Sequence, residues 1–142
     1  MTTSGANYVA AGIVDLVEAL TPYDLTHGEP DFVYQNQQPE DITRDRGFTL
    51  ESPSTEPNNT AVTTASRFLT DYVVTMFHAA SQSHELDLRR ICDDREQLCV
   101  ALRNPALHNT DYVGAVPELS SSTSRDAVGN YRTEITLTVN HV

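Results

Sequence analysis

The sequence predicts an α+β domain in which two helices pack on one face of a mainly antiparallel sheet. Three patterns support this fold: an amphipathic helix near the amino terminus, a second helix further along, and two long strand-like segments that lie far apart in the chain. At 142 residues the chain can bury one hydrophobic core and is too short for two. We therefore expect a single domain spanning residues 1–142.

The first predicted helix runs from about Asn7 to Leu20. Its apolar residues recur at the spacing of one helical face, and they are Val9, Ile13, Leu16, Val17 and Leu20. Ser4 or Asn7 can cap its start, and Thr21-Pro22 ends it. The segment Asp31–Gln35 then predicts a short strand.

Residues 37–61 form a polar stretch with three prolines among Asn, Ser, Thr and acidic residues. Apolar residues are so sparse here that we expect an extended loop, a feature that in compact domains is usually functional or disordered. The short segment Gly47–Leu50 interrupts the polar composition and is interpreted as one arm of a hairpin.

Two well-marked elements follow this stretch. Ser66–Ala79 is rich in aromatic and β-branched residues on both faces, which predicts a central strand. A helix is predicted from Ser83 to Leu102, with the apolar stripe Leu88, Ile91, Cys92, Leu98, Cys99 and Leu102. Arg95 falls within this stripe, so either its guanidinium reaches a carboxylate at the edge of the helix or it faces a neighbouring subunit.

The last third of the sequence predicts two more strands separated by a polar stretch. Tyr112–Val116 is a weak strand candidate, and residues 120–130 are polar. Apolar and polar side chains alternate almost without interruption from Tyr131 to Val142, which predicts a half-buried strand held within the sheet.

The charge of the chain is strongly acidic, at −11, with 20 acidic residues against 9 basic ones. All the basic residues are arginines. A surface of this sign repels phosphate, which disfavours tight wrapping of nucleic acid but is compatible with DNA sliding past. A halophilic host and a GC-rich genome explain the missing lysine equally well. The amino-terminal segment has no export signal and the chain has no long apolar run, so we expect a soluble, unprocessed protein.

Catalytic signatures are absent from the sequence. No glycine-rich phosphate loop or serine elbow is present, and Asp93, Asp94 and Glu96 are interpreted as a solvated helix face. Cys92 and Cys99 would lie roughly 10 Å apart on a helix, too far for a disulfide, and are expected to be buried thiols. We predict no catalytic, cofactor-binding or metal site and therefore no enzyme.

The order of elements resembles that of the tail terminator and tail-completion (neck) proteins of long-tailed phages and archaeal tailed viruses. Pro30–Gln35 looks like the family's first strand, with its proline, apolar, valine, tyrosine and glutamine pattern. Arg67–Phe77 leading directly into the helix Glu85–Leu102 looks like its core, and Tyr131–Val139 looks like its final strand. Together these segments cover about two thirds of the chain.

The resemblance implies a structural virion protein of the neck or tail, assembled in the host cytoplasm and acting without a cofactor. Such subunits form a hexameric ring that terminates the tail tube and joins it to the head-side connector, while genomic DNA passes through the lumen without specific binding. The expected partners are therefore other copies of the chain, the tail tube protein and the connector or stopper protein. The residues predicted to contact a neighbouring subunit or ring are Phe48, Leu50, Arg95, Arg132 and Glu134.

Two other functions stay open at this point. The first is a head-completion or stopper subunit with the same fold, which differs in the partner it binds. The second belongs to another class, a small metal-dependent hydrolase or ligand-binding domain that would use His78 and His84 together with an acidic residue.

Overall fold

The computed structural model describes residues 5–23, 29–57, 68–81, 83–103 and 118–141. In these ranges the chain forms two helices and five strands that make one sheet of order β1-β2-β3-β5-β4. The strands β1 and β2 are parallel, and all other neighbours are antiparallel. The elements are α1 (Gly5–Glu18), β1 (Val33–Tyr34), β2 (Gly47–Pro57), β3 (Phe68–His78), α2 (His84–Arg103), β4 (Glu118–Arg125) and β5 (Tyr131–His141). The predicted α+β fold with a mainly antiparallel sheet is confirmed.

The centre of the sheet is the pairing of β3 with β5, which runs without interruption from Phe68 opposite His141 to His78 opposite Tyr131. Both strands were predicted from their apolar patterns. Alternate residues of each strand point to the same face of the sheet, where they meet the helices. The buried apolar side chains on this face are Tyr72, Val74, Met76, Ile135, Leu137 and Val139.

Helix α1 lies close to its predicted position and buries the predicted face. Val9, Ile13 and Val17 have almost no exposed surface and belong to the core cluster, while Leu16 is half-buried against it. Leu20, just after the helix, is also buried. The spacing of these residues therefore identified both the helix and the side that packs on the sheet.

Helix α2 also lies where it was predicted, but its buried face differs from the predicted stripe. Ser83 precedes the helix, and its Oγ accepts the backbone N–H of Leu86 at 3.2 Å, an N-cap arrangement. Leu88 is 43% exposed, Cys92 is exposed and Cys99 is half-buried, so the prediction of two buried thiols is wrong. The residues that are buried are Asp87, Arg90, Ile91, Asp94, Leu98 and Leu102. The first half of the helix therefore turns charged side chains inward.

The extended loop predicted over residues 37–61 is wrong for most of its length. Pro39–Asp41 forms a 3-10 turn, and β2 is eleven residues long. It pairs with β3 over residues 48–51 and 54–57, with a register shift between Glu51 and Ser54. From Glu51 onward the described side chains of β2 are exposed, so this half of the strand carries polar residues on both faces and shows no apolar alternation. Residues 58–61 lie outside the described part of the chain.

The polar stretch 120–130, for which no strand was predicted, is another correction, because Glu118–Arg125 forms strand β4 on the outer side of β5. Its residues 120–125 are all exposed, and an edge strand of serine and threonine gives no period of two in hydrophobicity. The weak strand predicted over Tyr112–Val116 lies outside the described residues.

The face of the sheet opposite the helices is covered at one end by the chain between β1 and β2. The guanidinium of Arg132 donates to the carbonyl oxygens of Pro39, Glu40 and Ile42 at 3.2, 3.1 and 3.1 Å. The same guanidinium lies 5.0 Å from the ring centre of Phe77, and Ile42 and Phe77 are both buried. One arginine thus fastens this segment onto the sheet.

We expect Tyr72 to control stability at alkaline pH. Burial raises the pKa of Tyr72 to about 12 from 10.0, against the opposing effect of a hydrogen bond with Thr70. Between these two values the unfolded chain loses the phenolic proton and the folded chain retains it. The stabilising contribution is therefore complete below pH 10 and is lost as pH rises to 12, a decrease of about 2–3 kcal/mol in the free energy of unfolding.

The measurement is urea unfolding at steps between pH 9 and pH 12 for the native chain and for Tyr72→Phe. The variant should lose less stability over this range. Because the chain has no lysine, no lysine titration contributes to the change in stability between pH 9 and pH 12. Tyr34→Phe, at an exposed tyrosine, serves as the matched control and should keep the native slope. Equal slopes for Tyr72→Phe and the native chain would contradict the expectation.

Candidate functional site

The residues predicted as subunit contacts occupy very different environments. Phe48 has no exposed surface and packs edge-on against Phe32 and Tyr34, with ring centroids 6.3 and 5.6 Å away. Phe48 is therefore a core residue that cannot contact a neighbouring subunit in this fold, and the prediction that it does so is wrong. Leu50 is half-buried and lines a groove beside α1.

The three charged residues of that prediction are also distributed over the molecule. Arg132 is engaged within its own chain, where its Nη1 also lies 2.6 Å from Asp126. Glu134 is exposed on the face of the sheet without helices, opposite Ser122 of β4. Arg95 is half-buried, and its Nη1 lies 3.4 Å from the Thr123 hydroxyl of β4, so the predicted contact with a carboxylate is not found among the described residues.

Among the described strands, the sheet has an edge without an outer partner on each side. Strand β1 pairs with β2 only at Gly47 and Phe48, so the remainder of β2 has no outer partner among the described strands. On the opposite side, β4 pairs only with β5 within the same described ranges. The open part of β2 and the whole of β4 have similar lengths. Exposed edges of this kind present backbone N–H and C=O groups that can pair with another strand.

A groove lies beside the open edge of β2. It has a volume of about 400 Å³, and we call it the groove patch; its lining residues are Ala10, Ala11, Val14, Asp15, Tyr34, Leu50 and Ser52. Helix α1 forms one wall, and β1 and β2 form the other. The lining is mainly apolar, Tyr34 is 40% exposed, and Asp15 is an exposed acid at the helix wall.

A second partly exposed apolar surface lies on the opposite side of the molecule. Leu88, Cys92, Arg95 and Cys99 recur at helical spacing on α2, and we call them the α2 strip. The strip faces the β4 side because Arg95 reaches the hydroxyl of Thr123. It contains much of the apolar stripe predicted from the sequence, left incompletely covered by the chain itself.

The uncovered part of the helix-free face is acidic and rich in hydroxyl groups. It carries Glu51, Glu56 and Glu134, all exposed, together with the half-buried Asp71. Asp71 accepts hydrogen bonds from Ser54 at 2.9 Å and Thr138 at 2.7 Å, which hold its carboxylate in place. No arginine lies on this uncovered area in the described part of the chain, so the face repels phosphate.

A buried ionic cluster joins the start of α2 to the sheet. Its members are Glu29, Asp45, Arg46, His78, Asp87, Arg90 and Asp94. Arg46 has no exposed side-chain surface and lies 3.4 Å from Glu29 and 3.3 Å from Asp94. Its Nη2 also donates to the carbonyl oxygen of Leu20 at 3.4 Å, and the guanidinium stacks over Phe32 at 4.2 Å.

Arg90 is the second centre of this cluster. It binds Asp45 through Nη2 at 2.9 and 2.8 Å and also contacts Glu29, while Asp87 lies 3.6 Å away. Burial works against the charged guanidinium, but the carboxylates of Asp45 and Glu29 outweigh it and raise the pKa of Arg90. Asp45 and Asp87 also accept the backbone N–H groups of Ala79 and Ser81, so the cluster fixes the turn between β3 and α2.

The histidines of the hydrolase hypothesis have separate partners in the structure. His78 donates through Nε2 to Asp94 at 2.7 Å, and both side chains are almost fully buried, which leaves no route for a substrate. His84 instead lies 2.7 Å from the Tyr131 hydroxyl through Nδ1. Within the described ranges, no group of three or more His, Cys, Asp and Glu residues is arranged to hold a metal ion. The sequence interpretation of Asp94 as a solvated residue is wrong.

The fold and these surfaces define the chain as an α+β protein with one helix-covered and one acidic sheet face. Neither described helix is long and apolar enough to cross a membrane. No protein-family model matches the sequence, and no match was found among curated proteins.

The adjacent residues Arg89 and Arg90 allow a direct test of the cluster. Arg90→Met leaves Asp45 without its cation and leaves Glu29 with Arg46 as its one remaining arginine partner in the cluster. Breaking a buried pair in this way costs about 3–5 kcal/mol in the free energy of unfolding. Arg89 lies on the surface, where its side chain is 60% exposed and pairs with Glu85. Arg89→Met should therefore cost at most about 1 kcal/mol. Urea unfolding of the two variants at neutral pH measures the difference, and equal losses would show that the cluster does not stabilise the fold.

Proposed function

We propose that this chain is a structural subunit of the neck or tail of a tailed virus. In this proposal, copies form a hexameric ring that terminates the tail tube and joins it to the head-side connector, and DNA passes through the lumen. The observation that carries the proposal is the pair of open sheet edges, one along β2 and one along β4. A subunit with two different open edges can bind a copy of itself on each side.

The strand directions support closure into a ring. Because β2, β3, β5 and β4 alternate in direction, β2 runs opposite to β4 in the same subunit. Copies related by rotation about an axis along the strands keep these directions, so the β4 edge of one copy meets the β2 edge of the next as an antiparallel pair. Such head-to-tail contacts close into a ring when the rotation angle divides the full turn.

The two faces of the sheet support an assignment of inside and outside. The same rotation keeps all helix-free faces on one side of the assembly. That face is acidic where it is uncovered, and the chain as a whole carries −11. We assign the helix-free face to the lumen, because a negatively charged wall repels the phosphates of DNA and lets DNA pass without binding. The helices then lie on the outer surface of the ring.

The resemblance in element order to tail terminator proteins adds support for the same function. The runner-up, a head-completion or stopper subunit, fits the same ring geometry and differs in the partner that it binds. Affinity capture with purified tail tube protein and with the head-side connector separates the two. A terminator binds the tube protein in preference to the connector, and a stopper shows the reverse preference.

The oligomeric state tests the proposal directly. Native mass spectrometry should give a species of six times the 15.7 kDa chain mass, and negative-stain images should show rings with a central hole. The experiment is repeated over a range of protein concentrations, because edge-to-edge contacts form by mass action. A chain that stays monomeric at all concentrations and in the presence of tail tube protein would contradict the proposal.

The assignment of the lumen gives a second prediction. Glu51→Lys together with Glu134→Lys places positive charge on the helix-free face, so the assembled ring should retain linear duplex DNA with a steep dependence on salt. Covalently closed circular DNA cannot thread a preformed ring and should not be retained. The matched control, Glu18→Lys with Glu96→Lys, makes the same charge change at exposed helix positions. The control variant should bind linear and circular DNA to the same extent. Electrophoretic mobility shifts measure all four combinations, and retention of circular DNA by the first variant would contradict the assignment.

A further inference from the structure

Two partly exposed apolar surfaces lie at opposite sides of the sheet, and they match in character. The groove patch stands beside the open edge of β2, and the α2 strip stands above β4. Each carries one charged residue amid apolar neighbours, Asp15 in the groove patch and Arg95 in the α2 strip. The two surfaces therefore have opposite charges.

The geometry of the ring brings these two surfaces together. When β4 of one copy pairs with the β2 edge of the next, the helix-covered faces of both copies stay on the same side of the sheet. Helix α2 packs over β4 and β5, as the contacts of Arg95 with Thr123 and of His84 with Tyr131 show. Helix α1 forms the wall of the groove next to β2. The joined edges therefore place α2 of one copy against α1 of its neighbour.

We propose that the groove patch of each subunit receives the α2 strip of the next copy, with Asp15 paired to Arg95 across the junction. This inference rests on the proposed ring and names the contact that joins its subunits. The occupant is a second copy of this chain, because the complementary charge and the apolar surface both lie on the side of the molecule that the ring brings into contact.

The proposal also accounts for features that the single chain leaves unexplained. Leu88 is 43% exposed and Tyr34 is 40% exposed, although each belongs to an otherwise apolar surface. Covering such side chains stabilises a complex through the removal of apolar area from water. The groove patch also explains why Leu50 is only half-buried while Phe48 on the same face of β2 is fully buried.

Charge reversal tests the contact. Asp15→Arg places two arginines at every junction, and Arg95→Asp places two aspartates there, so each variant alone should lose the hexamer in native mass spectrometry. Circular dichroism and a thermal melt check that both variants remain folded. Glu18→Arg is the matched control, since it makes the same change at an exposed position of α1 that does not line the groove, and it should retain the hexamer.

Mixing the two folded variants gives the decisive result. In a ring where they alternate, every junction again pairs an arginine with an aspartate, so the mixture should form hexamers with three copies of each variant. Masses of mixed composition are resolved by labelling one variant with nitrogen-15. Hexamers restored only by mixing support the contact, whereas single variants that retain the hexamer, or a mixture that does not restore it, overturn the contact.

One further variant keeps the test valid if Arg95→Asp does not fold. Ala11 is exposed on the groove wall, so Ala11→Trp fills the groove without altering the buried core and should abolish the hexamer. If it assembles normally, the groove does not receive a neighbour. A native chain that forms no ring at all overturns the proposed function itself, which distinguishes that failure from failure of the contact alone.

Discussion

The ionic cluster beneath α2 is the interaction on which the arrangement of this molecule depends. Two buried arginines, Arg46 and Arg90, hold carboxylates that come from three separate parts of the chain. They connect the segment before β1, the start of β2 and the first half of α2, and the turn after β3 is fixed by the same carboxylates. Burying so much charge is costly unless every member is paired, so the cluster is sensitive to the loss of any one partner. The geometry of the ionic cluster determines how α2 lies over the sheet and therefore which side of the molecule carries the α2 strip.

The sequence was informative where burial imposes a regular pattern. Helix α1 and strands β3 and β5 were predicted within a few residues, because each buries a continuous apolar face. Strands β2 and β4 were missed as long strands because the described side chains of residues 51–57 and 120–125 are exposed and almost all polar, which removes the alternation that identifies a strand. Backbone pairing with β3 and β5 holds them in the sheet, and such pairing leaves no signature in side-chain composition.

The site residues were predicted less well than the fold, for a related reason. An apolar stripe was expected along α2, yet Asp87, Arg90 and Asp94 turn inward at helical spacing beside Ile91. This spacing was visible in the sequence, but charged residues are normally assigned to the surface. Their burial is tolerable because other segments supply partners of opposite charge, which are Arg46 for Asp94 and the carboxylates of Glu29 and Asp45 for Arg90. Phe48 cannot be a surface contact because it lies on the helix-facing side of β2, where it is buried against Phe32 and Tyr34. Leu50 lies in the groove patch, Arg95 in the α2 strip and Glu134 on the exposed helix-free face.

Placing both helices on one face of the sheet also has a consequence for shape. The described sheet has a helical layer on one side and, beyond the segment held by Arg132, a polar strand surface on the other. Copies joined edge to edge, as in the proposed ring, keep these two layers on opposite sides of one continuous sheet. In that proposed arrangement the sheet curves toward its helix-free face, which closes head-to-tail copies into a circle instead of an endless ribbon and directs the acidic side chains toward the centre.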